Sequence, residues 1–404
     1  MISVEEARRR IRASLRPVSA ETVALSAALG RVLAEDVVAL RSQPSFDASA
    51  MDGYAVRSAD IATLPARFRR IGEAPAGRAF TGTVGPGETV RIFTGAPIPD
   101  GADCIVLQED VTLEGGLVVT HEAVPAGKHV RRAGIDFRAG DTVLKAGHRM
   151  SVRDIGLAGA MNRPWLIVHR RPRVALLATG DEIVMPGEPM TADQIPSSNS
   201  LALAAFVAQL GADPIHLGIA KDDEAVLARQ AAMAKGCDVL ITIGGASVGD
   251  HDLVQKVLGA AGMSVDFWKI AMRPGKPLMW GLWDGMAVMG LPGNPVSALI
   301  CALNFLTPAI ERLSGLPPAD FDVEMLPAAV EIPANDHRQD YLRATLAADS
   351  AGRIGVTPFT RQDSSMLAPL AAAHCLVVRP PNAPAATAGT LIPVIRLDRF
   401  GSIF

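Results

Sequence analysis

The chain has 404 residues, which is too long for one ordinary domain and indicates two to four. Hydrophobic residues make up 49% and charged residues 20% of the sequence, so it can bury substantial cores and is not disordered. A net charge of -3 and an aromatic content of 4% argue against a nucleic-acid partner, and the sequence shows neither a signal peptide nor an apolar run of membrane-spanning length.

The four cysteines are scattered along the chain, and their spacing fits neither a zinc site nor a disulfide framework. Each is best explained as a small, buried, apolar residue. We therefore expect a cytoplasmic protein with no membrane or nucleic-acid partner.

The first part of the chain combines helices with short strands. A capping box at residues 3–6 predicts a helix to about Leu15, a second helix is predicted at 19–29, and another capping box at 151–154 opens a helix to about Met161. Between them, short β-rich runs separated by Pro-Gly and Gly-Gly turns predict a small β-domain. We predict a helical domain formed by residues 1–45 and 140–170, interrupted by a β-rich inserted domain at 46–139.

Strands alternate with helices from Val174 onward, which is typical of a doubly wound parallel sheet. Strands are predicted at 174–178, 214–217, 237–243, 265–269 and 286–291, and helices at 201–210, 223–235, 252–261 and 295–313. The pattern becomes β-like again after Pro317-Pro318. The predicted fold class is therefore multidomain α/β plus β, with an α/β domain at 171–318 and a C-terminal, β-barrel-like domain at 319–404.

Residues 45–55 place two carboxylates, Asp47 and Asp52, in a run of small residues. The segment has neither the alternation of a strand nor the apolar stripe of a helix, and Asp52-Gly53 is a turn signal. Such a segment is expected to form little core, which leaves its carboxylates available to a ligand. The alternative is a tight turn in which Asp47 binds backbone amides.

Polar segments follow four of the predicted strands in the α/β domain, at 179–182, 244–252, 273–277 and 291–297. In doubly wound sheets, ligands bind outside the carboxyl ends of the strands. The glycine-rich segment after Ile243 and a helix start at Asn294-Pro295 can offer backbone amides to an anion.

Charged side chains at the same edge add to this pattern. Arg273 and Lys276 supply two cations, and Glu182 and Asp252 supply carboxylates that suit Mg²⁺. We expect a site for an anionic, phosphate-bearing ligand and a metal, although an ordinary turn or cap fits each segment alone. Asp222-Asp223 fits the site and a helix cap equally well.

Taken together, these motifs resemble the MoeA family, the molybdopterin molybdenumtransferases, which include the E domain of gephyrin and of its plant counterpart. The matching segments run in order over nearly the whole chain: 46–57, 94–97, 132–136, 179–182, 244–249, 274–277 and 291–297. The resemblance implies a molybdopterin-binding α/β domain within a four-domain subunit.

The resemblance also implies a function. The family inserts molybdate into adenylylated molybdopterin, releasing AMP and forming molybdenum cofactor in the last step of its biosynthesis, and it requires Mg²⁺. It implies an elongated homodimer whose active site lies between the α/β domain of one subunit and the β-domain of the other. Molybdopterin adenylyltransferase and molybdoenzyme maturation proteins are candidate partners.

The residues and the resemblance together predict a set of site residues. The predicted catalytic residues are Asp52, Thr94, Asp136, Glu182, Asp252 and Lys276, with Glu182 and Asp252 as metal ligands. The predicted substrate-binding residues are Gly244, Gly245, Ser247, Gly249, Asp222, Asp223, Arg273, Pro292, Gly293, Asn294, Pro295 and Ser364. We expect Asp52 and Asp136 to orient pterin, metal or water rather than to act as nucleophiles.

Two positions depart from the family pattern. Arg273 stands where the family usually has lysine, and Ile243 stands where it usually has a small hydroxyl residue, which removes one hydrogen-bond donor. One alternative function is molybdopterin adenylyltransferase, whose smaller fold has no place for residues 45–55 and 94–97. Another is a non-catalytic pterin-binding scaffold, which the lack of a long disordered linker disfavours.

Overall fold

The computed structural model describes residues 1–244 and 253–398 and divides the chain into two compact units. Unit 1 consists of Met1–Glu21, Gly30–Ala34 and the chain from Val168 onward. Unit 2 consists of Thr22–Leu29 and Glu35–Ile167. The borders proposed above for four domains remain a prediction.

The described residues contain eight α-helices, and a π-helical segment at Ala302–Leu306 joins the sixth to the seventh. The helices are α1 (Val4–Ser14), α2 (Val152–Ala160), α3 (Ser198–Gln209), α4 (Glu224–Ala232), α5 (Leu253–Ala260), α6 (Pro295–Cys301), α7 (Thr307–Leu313) and α8 (Leu367–Ala371). Short 3-10 helices lie at Leu25–Ala27, Ser58–Ile61 and Gln108–Asp110.

The same residues form twenty-six strands, many of them short. The first eleven precede α2: β1 (Ala20–Ala24), β2 (Val37–Val38), β3 (Ala48–Ser49), β4 (Gly53–Val56), β5 (Ala66–Ala74), β6 (Glu88–Ile92), β7 (Cys104–Leu107), β8 (Val111–Glu114), β9 (Leu117–Thr120), β10 (Val130–Arg131) and β11 (Thr142–Leu144). The rest are β12 (Trp165–His169), β13 (Arg173–Thr179), β14 (Ile183–Val184), β15 (Ile195–Pro196), β16 (Asp213–Ala220), β17 (Val239–Ile243), β18 (Ser264–Phe267), β19 (Met272–Arg273), β20 (Met279–Trp283), β21 (Met286–Leu291), β22 (Val323–Pro327), β23 (Gln339–Ala348), β24 (Ile354–Pro358), β25 (Cys375–Arg379) and β26 (Leu391–Arg396).

Both predicted capping sequences form helix starts. The Ser3 side chain accepts a hydrogen bond from the Glu6 amide at 3.1 Å, and Ser151 and Asp154 form a complete capping box at α2. The predicted helix at 19–29 is wrong, because Ala20–Ala24 is a strand and Leu25–Ala27 a single 3-10 turn. β-Branched residues in this stretch favour an extended backbone, and long-range pairing overrides its weak helical pattern.

Unit 2 is built on a six-stranded sheet with the strand order β7-β4-β6-β5-β9-β8. Strand β4 runs antiparallel to both of its neighbours, and all four of its residues are buried. The expectation that residues 45–55 form little core is therefore wrong for the end of that segment. A Cβ on Gly53 would lie 2.1 Å from the Val106 carbonyl oxygen, so only glycine fits where β4 begins.

Unit 1 contains the predicted doubly wound sheet, in the order β16-β13-β17-β21-β20-β18. The first four strands are parallel, and their two faces are covered by helices α3 and α6 on one side and by α4 and α5 on the other. The two remaining strands are antiparallel, and β20 joins β21 through Asp284-Gly285, both with positive φ. The Asp-Gly pair is the signal for this hairpin that the sequence analysis missed.

The end of the chain forms the predicted C-terminal β-domain. Its strands follow the order β19-β23-β25-β26-β22, and β24 pairs with β23. A bridge between Ala328 and Val356 connects the end of β22 to β24, which gives the sheet its barrel-like closure. Strand β24 and helix α8 were not predicted.

The apolar helix Pro295–Leu313 meets the length and composition requirements of a membrane span, but 83% of that window is buried inside the protein. It packs with α1 and the sheet in the main hydrophobic core of unit 1. This burial accounts for its apolar composition.

Candidate active site

A cleft of about 1030 Å³ lies at the carboxyl ends of β13, β17 and β21 in unit 1. This is the edge at which parallel α/β sheets bind ligands. Seven of the site residues predicted from the sequence line this cleft: Glu182, Asp222, Gly244, Pro292, Gly293, Asn294 and Pro295. The structure therefore brings together residues that follow four different strands, because Asp222 comes after β16.

Two glycines shape the floor of the cleft. Gly244 has a φ of +89°, and a Cβ there would lie 3.0 Å from the Thr179 carbonyl oxygen. Gly180 has a φ of +134°, and its Cβ would lie 2.4 Å from Oε2 of Glu182. Glycine at these positions lets β17 turn closely past β13 and leaves room for the Glu182 carboxylate.

Asp222 and Asp223 take different roles. Oδ1 of Asp223 accepts a hydrogen bond from the Val226 amide at 2.8 Å and caps α4. Asp222 lines the cleft, and its amide donates to Oδ1 of Asp181 at 3.3 Å. The capping interpretation thus holds for Asp223, whereas Asp222 faces the candidate ligand.

Asn294 and Ser364 lie together at the start of α6. Nδ2 of Asn294 donates to Oγ of Ser364 at 2.9 Å, and the Val296 amide donates to the Ser364 carbonyl at 3.1 Å. Asn294 occupies the N-cap position of α6 with Pro295 as the first helical residue, and its side chain makes no cap bond. Pro295 has no amide hydrogen, so Val296 carries the first amide of α6. The Ser364 carbonyl accepts the hydrogen bond from that amide.

A buried arginine holds the loop that carries Ser364. Arg343 is only 1% exposed, and its guanidinium donates to the carbonyls of Arg361, Asp363 and Met366 at 3.3, 3.0 and 2.8 Å. Burial lowers the pKa of Arg343, although the nearby Asp363 opposes that shift. Its five-donor fork fixes the backbone of the loop beside the cleft.

Arg273 and Lys276 do not line the cleft in the described part of the chain. The Arg273 guanidinium donates to Asp340, whose side chain is 3% exposed, and lies 3.8 Å from Asp336. Arg273 and Asp340 are also paired across β19 and β23. Lys276 is exposed and makes no ion pair with any described residue, so it carries the more available positive charge.

A second polar cluster lies in unit 2. Oδ1 of Asp52 accepts hydrogen bonds from the amide and from the hydroxyl of Thr94, both at 2.8 Å. The Thr94 amide, its hydroxyl and the charge of Arg91 lower the pKa of Asp52. This carboxylate is therefore ionised at neutral pH and held at the edge of the six-stranded sheet.

Asp47 and Asp136 stabilise loops of the same unit. Asp47 accepts hydrogen bonds from the Ala133 amide at 2.8 Å and from Arg132 at 2.6 Å, which lower its pKa. The turn interpretation of residues 45–55 thus describes Asp47. The Asp136 amide donates to the Gln43 carbonyl at 3.1 Å, and the Asp136 residue is exposed.

Four predicted site residues lie outside the described residues: Gly245, Ser247, Gly249 and Asp252. Among the residues that the structure describes, no group of three or more His, Cys, Asp or Glu side chains could hold a metal ion. Glu182 and Asp222 nevertheless bring two carboxylates to one cleft. That donor set fits Mg²⁺, which is often held by one or two carboxylates together with water and substrate phosphates.

Several cleft residues escaped the sequence analysis: Ser198, Asn199, Lys221, Lys256 and Ser365. Helix α3 begins at Ser198 rather than after Ser200, and Nδ2 of Asn199 donates to the Gly293 carbonyl at 2.7 Å. The polar run before this helix was the available signal. Lys256, which pairs with Glu224, lies on α5 and had no motif to mark it.

Three family models match the chain in order. The MoeA N-terminal region (domain I and II) matches residues 2–161, a probable molybdopterin binding domain matches 175–312, and the MoeA C-terminal region (domain IV) matches 325–397. Together these matches cover both described units.

Individual proteins are similar over most of the chain. The molybdopterin molybdenumtransferase of Haemophilus influenzae is 34% identical over 385 residues, which cover 94% of each chain. That of Nostoc sp. is 40% identical over 304 residues, covering 73% of this chain and 70% of the relative. Molybdopterin molybdenumtransferase 2 of Mycobacterium tuberculosis is 41% identical over 333 residues, covering 78% and 81%.

Solved structures share the whole architecture. A crystal structure of the molybdopterin biosynthesis MoeA protein from Pyrococcus horikoshii covers 98% of this chain and 99% of its own, with a TM-score of 0.86 and 29% identity. Another crystal structure, of a molybdopterin biosynthesis MoeA protein from Pyrococcus horikoshii OT3, covers 98% of this chain and 100% of its own, with a TM-score of 0.84 and 25% identity.

Proposed function

Because the chain belongs to the MoeA family of molybdopterin molybdenumtransferases, we propose that it inserts molybdate into adenylylated molybdopterin, releasing AMP and forming molybdenum cofactor. We propose that this is the last step of molybdenum cofactor biosynthesis. The observation that carries the proposal is the cleft of about 1030 Å³ at the carboxyl edge of the parallel sheet. Its size suits a ligand that joins a pterin to a nucleotide.

Residues of the cleft, and Lys276 next to the lining residue Pro277, have chemistry that suits this substrate. The glycine turn at Gly244 lets an anion approach the backbone closely, and the Ser364 loop fixes the start of α6 beside it. Lys276, with no ion pair in the described part of the chain, offers a compact positive charge to a phosphate or to the molybdate dianion.

The polar cluster of unit 2 is proposed to orient the reactants. Asp52 is ionised and accepts two hydrogen bonds from Thr94, which leaves its second oxygen for a ligand donor, a cation or water. Asp136 is proposed to act in the same way. Neither carboxylate is proposed as a nucleophile.

Mg²⁺ is proposed as the cofactor, held by Glu182 and Asp252. Asp222 lines the same cleft as Glu182 and adds a second carboxylate to it. When bound, the ion neutralises charge that develops on the phosphates. The carboxylates would keep a cation beside the anionic substrate without a closed cage of protein ligands.

A homodimer with a shared active site is also proposed. Asp52 and Thr94 belong to unit 2, whereas the cleft belongs to unit 1. We propose that the β-domain of one subunit serves the cleft of its partner. A 1:1 mixture of Asp52→Asn and Lys276→Ala chains would then recover about one quarter of wild-type activity, because half of the dimers are hybrids with one intact site of two. A mixture with no recovered activity would contradict sharing.

A cytoplasmic location is proposed as well. All four cysteines are free, and three of them are buried. Unpaired cysteines agree with a reducing compartment. Molybdopterin adenylyltransferase and molybdoenzyme maturation proteins are proposed as the partners that supply the substrate and accept the product.

The experiment that tests the proposed function supplies purified protein with two substrate sets. Adenylylated molybdopterin, molybdate and Mg²⁺ should yield AMP and molybdenum cofactor. Molybdopterin and ATP should yield no adenylylated product. The opposite pattern would identify an adenylyltransferase, and pterin binding without turnover of either set would identify a scaffold.

A further inference from the structure

Arg91 lies beside the Asp52–Thr94 cluster, and its contacts reach further than its charge. Its Cζ lies 5.0 Å from the ring centre of Tyr54 and 5.1 Å from that of Phe93. Tyr54 and Arg91 are direct partners across β4 and β6, so the three side chains share one face of the sheet. A guanidinium between two rings is held by cation–π attraction and loses much of its freedom.

Hydrogen bonds connect this guanidinium to the backbone at Gly53 and, through Gln108, to the backbone at Asp52. Nη1 of Arg91 donates to the Gly53 carbonyl at 3.2 Å, one residue after Asp52. Nη2 donates to the side chain of Gln108, whose backbone amide donates to the Asp52 carbonyl at 3.3 Å. Arg91 thus binds the backbone that carries Asp52 directly, at β4, and indirectly, through the 3-10 helix that begins at Gln108.

Arg91 forms no ion pair with any described residue. No carboxylate among the described residues lies within ion-pair distance of it, although Glu73 is its register partner on β5 and pairs with Arg70 instead. Removing part of an arginine side chain from water is unfavourable unless well-placed hydrogen bonds compensate for the lost hydration. Here the hydrogen bonds of the guanidinium hold the turn at Asp52-Gly53, where a side chain at position 53 would have no room.

We propose that Arg91 is a positioning residue that holds the Asp52–Thr94 pair in its ligand-facing arrangement. The proposal rests on the proposed function only for its kinetic consequence. Loss of the fork would let the Asp52 backbone shift relative to Thr94, and displacements of about 1 Å can cost roughly 100-fold in rate.

The kinetic test compares Arg91→Gln, Arg91→Lys and the control Arg69→Gln in the full-length protein. Arg69 lies on the neighbouring strand β5, is exposed and pairs with Glu88. Arg91→Gln should lower kcat roughly 10- to 100-fold with KM nearly unchanged, and Arg91→Lys should recover part of the loss. A kcat equal to that of the control would overturn the proposal.

A double-mutant cycle separates positioning from a general structural effect. Arg91→Gln should cause little further loss in an Asp52→Asn background, because both changes disable the same pair. Equal losses in the two backgrounds would overturn the proposal. Gln108→Ala, at an exposed residue, removes one anchor with little risk to folding and should lower kcat several-fold.

Hydrogen exchange decides the matter independently of activity. The Thr94 amide donates to Asp52, so its exchange rate reports the pair directly. Arg91→Gln should raise that rate at least about three-fold relative to Arg69→Gln, while the Ser49 amide, which donates to Ala96, stays unchanged. An unchanged Thr94 rate would overturn the proposal even if no AMP release is found, whereas missing AMP release alone would overturn the proposed function.

Discussion

One oxygen of Asp52 accepts both the amide and the hydroxyl hydrogen of Thr94, each at 2.8 Å. The two residues come from turns that are distant in sequence and meet at the end of strands β4 and β6. The hydroxyl therefore contributes to the low pKa of a carboxylate that we propose to orient the reactants.

Thr94→Val should lower activity and move its acid limb to higher pH. The variant keeps the amide bond but loses the hydroxyl bond, so the pKa of Asp52 rises toward its ordinary value. Because a depressed pKa keeps the carboxylate ionised as the pH falls, losing part of that shift removes activity first near and below the ordinary value of 3.8. The pH dependence of kcat/KM checks this, with Thr112→Val as an exposed control. An unchanged acid limb would show that this bond does not set the ionisation that matters.

Asp154→Ala should lower the free energy of unfolding by about 1 kcal/mol at pH 7. Burial opposes ionisation of this carboxyl, but hydrogen bonds from Ser151 and the His148 ring outweigh it and lower its pKa to about 2. A depressed pKa adds stability above the ordinary value of 3.8, and that stability is lost as the pH falls through about 2.

The difference between wild type and Asp154→Ala should therefore shrink between pH 4 and pH 2, as measured by urea unfolding. Asp193→Ala, which changes an exposed carboxylate, should stay near wild type throughout. A difference that persists unchanged at low pH would assign the effect to packing rather than to the ionised cap.

Gly53→Ala should destabilise the protein by more than about 2 kcal/mol. Its Cβ would lie 2.1 Å from a carbonyl oxygen and 2.9 Å from the Ile105 side chain, inside the central strand of unit 2. Gly156→Ala, in helix α2 with open space around it, should instead be neutral or gain up to about 1 kcal/mol. Thermal unfolding of the two variants compares them, and equal midpoints would contradict the crowding of β4.

Arg343→Met should cost about 3 kcal/mol, because it removes the shared donor of three carbonyls in the 361–366 loop. The Ser364 loop should loosen at the same time, which would raise KM through the start of α6. Arg353→Met, an exposed arginine of the same domain that pairs with Asp349, serves as the control. Denaturant unfolding and substrate titration measure the two effects, and a stable variant with an ordinary KM would contradict the role of the loop.

Local patterns predicted the parallel part of the α/β domain well. Apolar runs and capping residues define β13, β17 and β21, and the edge at which they end follows from the parallel sheet. That rule predicts Glu182 and Gly244 at one edge of the sheet, and both line the cleft.

Contacts distant in sequence explain what the patterns missed. Asn294 lies at the predicted N-cap, but the first amide of α6 donates to the Ser364 carbonyl, 70 residues away, rather than to the Asn294 side chain. The pairing of Arg273 with Asp340 likewise depends on β19 and β23 lying side by side. Strand β4 has no strand-like pattern of its own. Its four residues are buried because β6 and β7 lie on either side of it.

The most direct measurement is single-turnover AMP release after molybdate is added to protein carrying adenylylated molybdopterin. Wild type should release about one AMP for each bound substrate, whereas Asp52→Asn and Lys276→Ala should bind the substrate and release AMP roughly 100-fold more slowly. Release that does not depend on molybdate, or equal rates in all three proteins, would contradict a molybdate-inserting site that uses residues of both units.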